Sequence, residues 1–247
     1  MVNNAGYGLA GELEGTPDEA ARDIFETLFW GVVNVSREAL EVFRESNRPI
    51  GGRLINMSSV LGIVASPLGA FYNASKFGQS RYLDITIITR ANQRTAIEGL
   101  TETIALELDP EWNVKVRTCF FATIMAATGN GVVIAESFTS QLSLVEPGYF
   151  KTGMYDNALI LKQHPAYTRP GSPSMTIRER FQDPDLIYRG DAKKAVAKIY
   201  QLARLDDPPL RLALGKDCIN MLRTKLDELA KGVDKYESWS EDLLRDD

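Results

Sequence analysis

The chain has 247 residues, 44% of them apolar and 25% charged, with a formal net charge of −5, the profile of one water-soluble globular domain. The acidic balance gives no footprint for nucleic acid or an anionic membrane surface. Cys119 and Cys218, its only cysteines, cannot build a disulfide framework and suit a reducing compartment. No basic segment leads into an apolar run at the N-terminus, so no signal peptide is expected. The most apolar long window, Cys119–Ala135, is broken by Gly129, Asn130 and Gly131, and a membrane span is not expected. The expected location is cytoplasmic.

In chain order, the elements alternate as in an α/β sheet. Met1–Asn4 reads as the end of a strand running into Ala5-Gly6-Tyr7-Gly8. Thr16-Pro17-Asp18-Glu19 reads as a helix start with a threonine cap, a proline in the first turn and a glutamate at the capping-box position. An apolar stripe (Ile24, Leu28, Val32, Val35, Leu40) extends that helix to about Phe43. Arg53–Met57 reads as a buried strand, and a helix is expected from about Phe71. Val114–Val116 and Leu142–Val145 are strand-like, followed by a sharp turn at Glu146-Pro147-Gly148. Residues 151–189, rich in Pro, Tyr and Met with little periodicity, suit a substrate lid. A helix over Asp191–Leu205, a strand over Leu210–Leu214 and a closing helix from Asp217 complete the chain, which contains no repeats.

The chemistry concentrates between Asn56 and Lys76. Tyr72 and Lys76 are four apart, on one face of a helix, and Ser59 stands thirteen residues before Tyr72 at the end of a strand. Tyr-x-x-x-Lys alone is commonly a helix surface pair, and Ser-Ser after a strand is commonly a turn. Together they outline an alcohol–carbonyl redox site. A free phenol titrates near pH 10, and a lysine cation one turn away favours the phenolate. Tyr72 would then exchange the proton, Lys76 would tune it electrostatically, and Ser59 would hold the substrate oxygen.

With these residues the chain resembles the short-chain dehydrogenase/reductase family from Val2 to about Leu214. Asn3-Asn4-Ala5-Gly6 resembles the motif after the family's fourth strand, Ser59, Tyr72 and Lys76 fall on its catalytic positions, and Pro147-Gly148 with Thr152 resembles the segment after its sixth strand. The resemblance implies a Rossmann-like, doubly wound parallel sheet and an NAD(P)-dependent oxidoreductase interconverting a secondary alcohol and a ketone. It implies cofactor contacts from Asn4, Ala5, Gly6, Tyr72, Lys76, Pro147, Gly148 and Thr152, with Lys76 on the ribose. It also implies a homo-oligomer. The closing segments resemble members acting on lipid-like alcohols, with Met154, Tyr155, Leu159, Ile160 and Leu161 as apolar lid contacts. No metal is implied.

Three departures accompany the resemblance. No glycine-rich turn precedes Asn3, so the first strands, the pyrophosphate cradle and the residue separating NAD from NADP are not in this sequence. The asparagine that joins the family's proton relay matches Leu28, which cannot hydrogen-bond. Two segments, near 78–95 and 116–141, interrupt what read as the catalytic helix and a core strand. The first holds Ile85-Thr-Ile-Ile-Thr, β-like within a helical context. Codons for Gly78, Thr95-Ala96, Val116-Arg117 and Gln141 can carry splice signals, so the expectation is a partial domain with two translated introns; a transcript retaining both segments in frame would sink it. The alternative function is a catalytically inactive fragment or mis-spliced product that cannot bind the dinucleotide.

The remaining candidates have plain readings. His164, the sole histidine, sits in a polar, proline-containing loop and is expected at the surface, which argues against metal sites and Ser-His-Asp hydrolysis. Cys218 is expected in ordinary packing. Phe25, Phe29 and Trp30 have the spacing of core or subunit contacts, and Glu237–Asp247 that of a solvated tail.

Overall fold

In the computed structural model, residues 1–76, 100, 101, 103, 104, 141–183, 189–241 and 243 are described. The segment 78–95, Cys119, the strand expected at Val114–Val116 and nearly all of 116–141 lie outside them. Strand β1 (Val2–Asn3) leads into a loop carrying the short β2 (Leu9–Ala10). A continuous helix then runs as α1 (Asp18–Phe25), a π-turn (Glu26–Trp30), α2 (Gly31–Glu41) and a second π-turn (Val42–Ser46). After β3 (Arg53–Met57) comes α3 (Ala70–Lys76), and then β4 (Gln141–Pro147). The short strands β5 (Phe150–Lys151) and β6 (Leu159–Ile160) precede α4 (Pro173–Phe181). Strand β7 (Gly190–Asp191), α5 (Ala192–Leu202), β8 (Arg211–Leu214) and α6 (Lys216–Tyr236) close the chain.

The main sheet has the order β1-β3-β4-β8, every pair parallel, with Val2 opposite Ile55, Leu54 opposite Leu142 and Val145 opposite Leu212. Parallel strands need both faces covered, and the alternation of side chains supplies both. On one face Leu54 packs with Ala39 and Phe43, and Leu144 with Ile24, Leu28, Val32 and Tyr72. On the other, Ile55 and Val145 pack against Leu202 of α5. Each fully buried aliphatic side chain contributes roughly 1.5–3 kcal/mol of transfer free energy. This is the expected α/β architecture with a doubly covered parallel sheet.

Strand Arg53–Met57 falls on its expected residues; other boundaries move for identifiable reasons. Thr16 is not the cap of α1: Pro17 occupies that position, its carbonyl accepting from the Ala21 N–H at 3.0 Å, while the Thr16 hydroxyl donates to the Glu12 carbonyl. Val35 is exposed, and Val33, Ser36 and Ala39 share the buried face with Val32. The π-turn ahead of α2 inserts a residue into the helical repeat and rotates the stripe. The expected turn at Glu146-Pro147-Gly148 starts later, because Glu146 and Pro147 continue β4 opposite Ala213 and Leu214. The 3-residue turn Pro165–Tyr167, β6 and α4 show that 151–183 has regular structure despite weak periodicity. Asp191 is the cap of α5, its carboxylate accepting from the Lys193 and Lys194 N–H groups.

Candidate active site

At the carboxyl ends of β1, β3 and β4 a cavity of about 430 Å³ opens, the place where open parallel sheets bind ligands. Each strand delivers its next residues to it: Asn4 and Gly6 after β1, Ser58 and Ser59 after β3, Pro147 and Gly148 at and after β4. Helix α3 contributes Tyr72 and Lys76 from one face, and Thr152 enters from the segment after β5. Of the residues singled out in the sequence, Ser59, Tyr72, Lys76, Asn4, Gly6, Pro147, Gly148 and Thr152 therefore line one cavity. Ala5 is exposed and does not line it.

Each of the three central side chains is held by a specific contact. Ser59 is extended, and its hydroxyl oxygen accepts from the Leu61 N–H at 3.1 Å, capping the turn Val60–Gly62. That leaves its hydrogen free to be donated elsewhere. Tyr72 is 6% exposed and packs with Leu9, Leu28 and Leu144. Lys76 is as buried, and its ammonium donates to the Met57 carbonyl at 2.8 Å, a contact that ties α3 to the end of β3. A charge so little exposed needs such partners.

Beneath the cavity, the Asn3 amide donates to Asn56 Oδ1 at 2.8 Å and to Ser36 Oγ at 3.3 Å, and the Asn56 amide donates to Thr101 Oγ1 at 2.9 Å. This buried polar row crosses the sheet under the site and fixes the strand ends relative to α2. Leu28 lies on the adjacent wall, 1% exposed. Its fit to the loop is tight, since a Cβ on Gly6 would stand 2.6 Å from Leu28 Cδ2. Where the resemblance implies a hydrogen-bonding relay residue, this chain has a packed aliphatic one in a π-turn.

Several lining residues carry no local sequence signal. Tyr7 and Tyr149 both face the cavity. Burial and then the Asp23 carboxylate raise the Tyr7 phenol above its ordinary range; burial and then Asp217 do the same for Tyr149. Both are neutral phenols at pH 7. The Tyr149 N–H donates to Asp217 Oδ2 at 2.6 Å, and that carboxylate sits where a Cβ on Gly148 would be. His164 lines neither this cavity nor the smaller one beside it. It is half-buried, its ring 5.7 Å from that of Tyr167 and its Nδ1 accepting from the Ala166 N–H. Cys218 is buried, its thiol donating to the Glu146 carbonyl.

The smaller cavity, about 80 Å³, shares Tyr72, Leu61 and Met154 with the first. Its other walls are mostly apolar, including Leu9, Leu68, Ile160 and Phe181. Of the expected apolar lid contacts, Met154, Tyr155 and Ile160 line it, whereas Leu159 and Leu161 do not. Leu68 has φ +66°, the left-handed region that a leucine seldom adopts.

Comparison with known proteins places this arrangement. A model of the short chain dehydrogenase family matches residues 1–85. An uncharacterized oxidoreductase of Schizosaccharomyces pombe is 31% identical over 248 aligned residues, taking in 100% of this chain and 68% of the relative. The chain belongs to the short-chain dehydrogenase family. This family member is also 29% identical, over 87% of its length, to a 3-ketodihydrosphingosine reductase of Bacteroides thetaiotaomicron, of which it covers 62%. A crystal structure of a short-chain dehydrogenase from Streptomyces avermitilis superposes with a TM-score of 0.69 at 27% identity, over 98% of this chain and 70% of that one. A short-chain dehydrogenase/reductase from Burkholderia phymatum in complex with NAD has the same fold, with a TM-score of 0.56 at 17% identity over 94% of this chain and 66% of that one. The family assignment makes this an oxidoreductase chain, and it spans roughly two thirds of the length of these relatives. No helix among the described residues is long and apolar enough to cross a membrane, and no cluster among them could hold a metal ion.

Proposed function

We propose that this short-chain dehydrogenase interconverts a secondary alcohol and a ketone with a nicotinamide dinucleotide, using Ser59, Tyr72 and Lys76. The observation that carries the reading is the presence of all three in one cavity at the strand ends, with Asn4, Gly6, Pro147, Gly148 and Thr152. When bound, the dinucleotide supplies or accepts the hydride. The donors present suit its nicotinamide-ribose end: a buried lysine cation, the Thr152 hydroxyl and the close backbone at Gly148.

The chain's own residues handle the oxygen and its proton. Ser59, its oxygen already engaged by the Leu61 N–H, turns its hydrogen to the substrate oxygen and polarises it. In oxidation Tyr72 Oη takes the hydroxyl proton, and in reduction it returns that proton to the carbonyl oxygen. The Lys76 cation, held at Met57, stabilises the phenolate form in between. Leu28 passes no proton, so exchange with solvent runs through the cavity mouth. Residues 151–183 act as the lid, and the apolar pocket beside Tyr72 supports a substrate with an apolar substituent.

A second reading is a catalytically inactive fragment or mis-spliced product that cannot bind the dinucleotide, and Leu28 at the relay position adds to it. Titration with NADH and with NADPH, followed by cofactor fluorescence, separates the two and gives the preferred dinucleotide. Saturable binding in the micromolar range is the expected result; no binding of either cofactor defeats the oxidoreductase reading for this polypeptide.

A further inference from the structure

The lid is fastened by a buried ion pair that lies outside the site and joins residues 166 apart. Glu12, 3% exposed, stands just beyond β2, and Arg178 lies in α4. Arg178 Nε donates to Glu12 Oε1 at 2.9 Å and Nη2 to Oε2 at 2.6 Å, a two-pronged contact that fixes orientation as well as distance. The third guanidinium nitrogen donates to the Leu161 carbonyl at 3.0 Å, and the His164 N–H donates to Glu12 Oε2 at 3.3 Å. One carboxylate and one guanidinium thus hold three points of the lid to one loop of the scaffold.

Those points adjoin the walls of the apolar pocket. Ala10, two residues before Glu12, Ile160, next to Leu161, and Phe181, three residues after Arg178 in α4, all line it. The backbone repeats the attachment: Leu159 N–H donates to the Gly8 carbonyl and Leu161 N–H to the Ala10 carbonyl, each at 2.8 Å. On the other side the Gly11 N–H donates to the carbonyl of Leu68, the strained wall residue, also at 2.8 Å. The contact is close enough that a Cβ on Gly11 would lie 2.8 Å from Leu161 Cδ1. Moving Arg178 therefore moves Ile160 and Phe181 together, away from Leu9, Leu68 and Tyr72.

We propose that Glu12 and Arg178 are positioning residues that set the depth of this pocket and select a ketone or alcohol carrying one short, unbranched apolar chain. The proposal rests on Tyr72 as the acid/base, because the pocket holds the substituent next to the carbon that Tyr72 serves. A volume of 80 Å³, against the roughly 30 Å³ that one water takes up in the liquid, admits about three groups of that size, a short alkyl chain. With only apolar side walls besides Tyr72, Ser66 and Tyr155, whose hydroxyl donates to the Phe181 carbonyl, a charged or polyhydroxylated substituent would be desolvated with few partners.

The test uses the full chain and 2-alkanones from 2-butanone to 2-decanone, with binding read by calorimetry and turnover read with NADH and NADPH. Wild type is expected to bind more tightly as the chain lengthens and then to level off. Arg178→Met is expected to weaken the longer ketones by about tenfold while leaving 2-butanone and kcat nearly unchanged, in keeping with what a methylene in an apolar pocket contributes. Arg178→Lys, with the charge but not the fork, should fall between. Amide hydrogen exchange should accelerate at Leu159 and Leu161 and stay as in wild type at Ile55 and Leu144. A uniform loss along the ketone series, unchanged exchange at Leu159 and Leu161, or no binding of any ketone of the series to wild type overturns the proposal. If the ketones bind with the expected selectivity but are not turned over, the catalytic reading fails while the positioning role stands. Should Arg178→Met not fold, Glu12→Leu with Arg178→Met removes both charges without leaving one buried alone; wild-type chain-length selectivity in that pair also overturns the proposal.

Discussion

The two sides of the cavity are built by different forces. The scaffold side, with Ser59, Tyr72 and Lys76, stands on a parallel ladder whose side chains are buried on both faces: Leu54, Leu144, Ile55 and Val145 are each at most 4% exposed. The lid side has no fully buried residue in α4 and is attached by two short strand pairings and a bidentate ion pair. Apolar burial is insensitive to pH and holds in place the strands and helix that carry Ser59, Tyr72 and Lys76. Polar fasteners can be released one at a time, and elements held this way sit at the low end of local stability. With the proposed roles, chemistry and selectivity in this molecule can be perturbed separately.

The strongest way to break that separation is at Tyr72. Tyr72→Phe is expected to lower turnover by about 10²–10⁴-fold, the usual worth of a positioned proton-transfer group, with the melting temperature nearly unchanged since the ring packing is kept. Retained activity in a steady-state assay would remove Tyr72 from its role.

Next in size is the scaffold core. Leu28→Ala, at a site 1% exposed between Gly6 and Tyr72, should cost about 2–5 kcal/mol in denaturant unfolding. A loss below about 1 kcal/mol would show that the scaffold does not depend on this packing.

A matched pair of glycine substitutions sharpens the contrast. A Cβ on Gly52 would stand 2.3 Å from the Phe43 ring, while one on Gly11 would meet Leu161 in the lid. Overpacking of this kind costs about 1–3 kcal/mol. Gly52→Ala should therefore destabilise the whole chain in thermal unfolding. Gly11→Ala should act locally, seen as faster exchange at Leu161 with little change in melting temperature. Equal global losses would mean that the lid and sheet unfold as one unit.

The smallest expected effect is that of acid. The hydrogen bond from Arg178 holds the Glu12 carboxyl below the ordinary glutamate range, against the opposing effect of burial. A carboxylate whose folded-state pKa is depressed stabilises the fold above its unfolded pKa and loses that contribution as pH falls through the folded one. The fastening should thus be complete at neutral pH and weaken below the ordinary range for glutamate, near pH 4.3, on the way down to the lower folded value. Protection at Leu161 should fall in that window before protection at Leu144 does, and Glu12→Gln should abolish the difference. Simultaneous loss at both sites would deny the lid a separate acid response.

Much of the site was legible because it is local in sequence. Strand Arg53–Met57, the i,i+4 pair Tyr72 and Lys76, and Ser59 just past a strand end depend on neighbours within a few residues, and the structure brings all three side chains to one cavity. Expectations failed where distant contacts outweighed local patterns. Thr16 has the composition of a cap but bonds back to Glu12; Val35 has the spacing of a core residue, but a π-turn rotates it outward. Pro147 reads as a turn residue, yet with no N–H to donate it ends β4 beside Leu214.

The sequence by itself determined the family, the α/β class and the candidates for the reacting groups, because hydrophobic alternation and the Ser-Tyr-Lys spacing are properties of contiguous residues. Only the tertiary structure decided that Leu28 closes one wall of the cavity, that Tyr7 and Tyr149 face it, and that Glu12 and Arg178 meet. Those contacts join residues from separate elements, and no local preference for helix, strand or turn specifies which buried charge will find which partner across the chain.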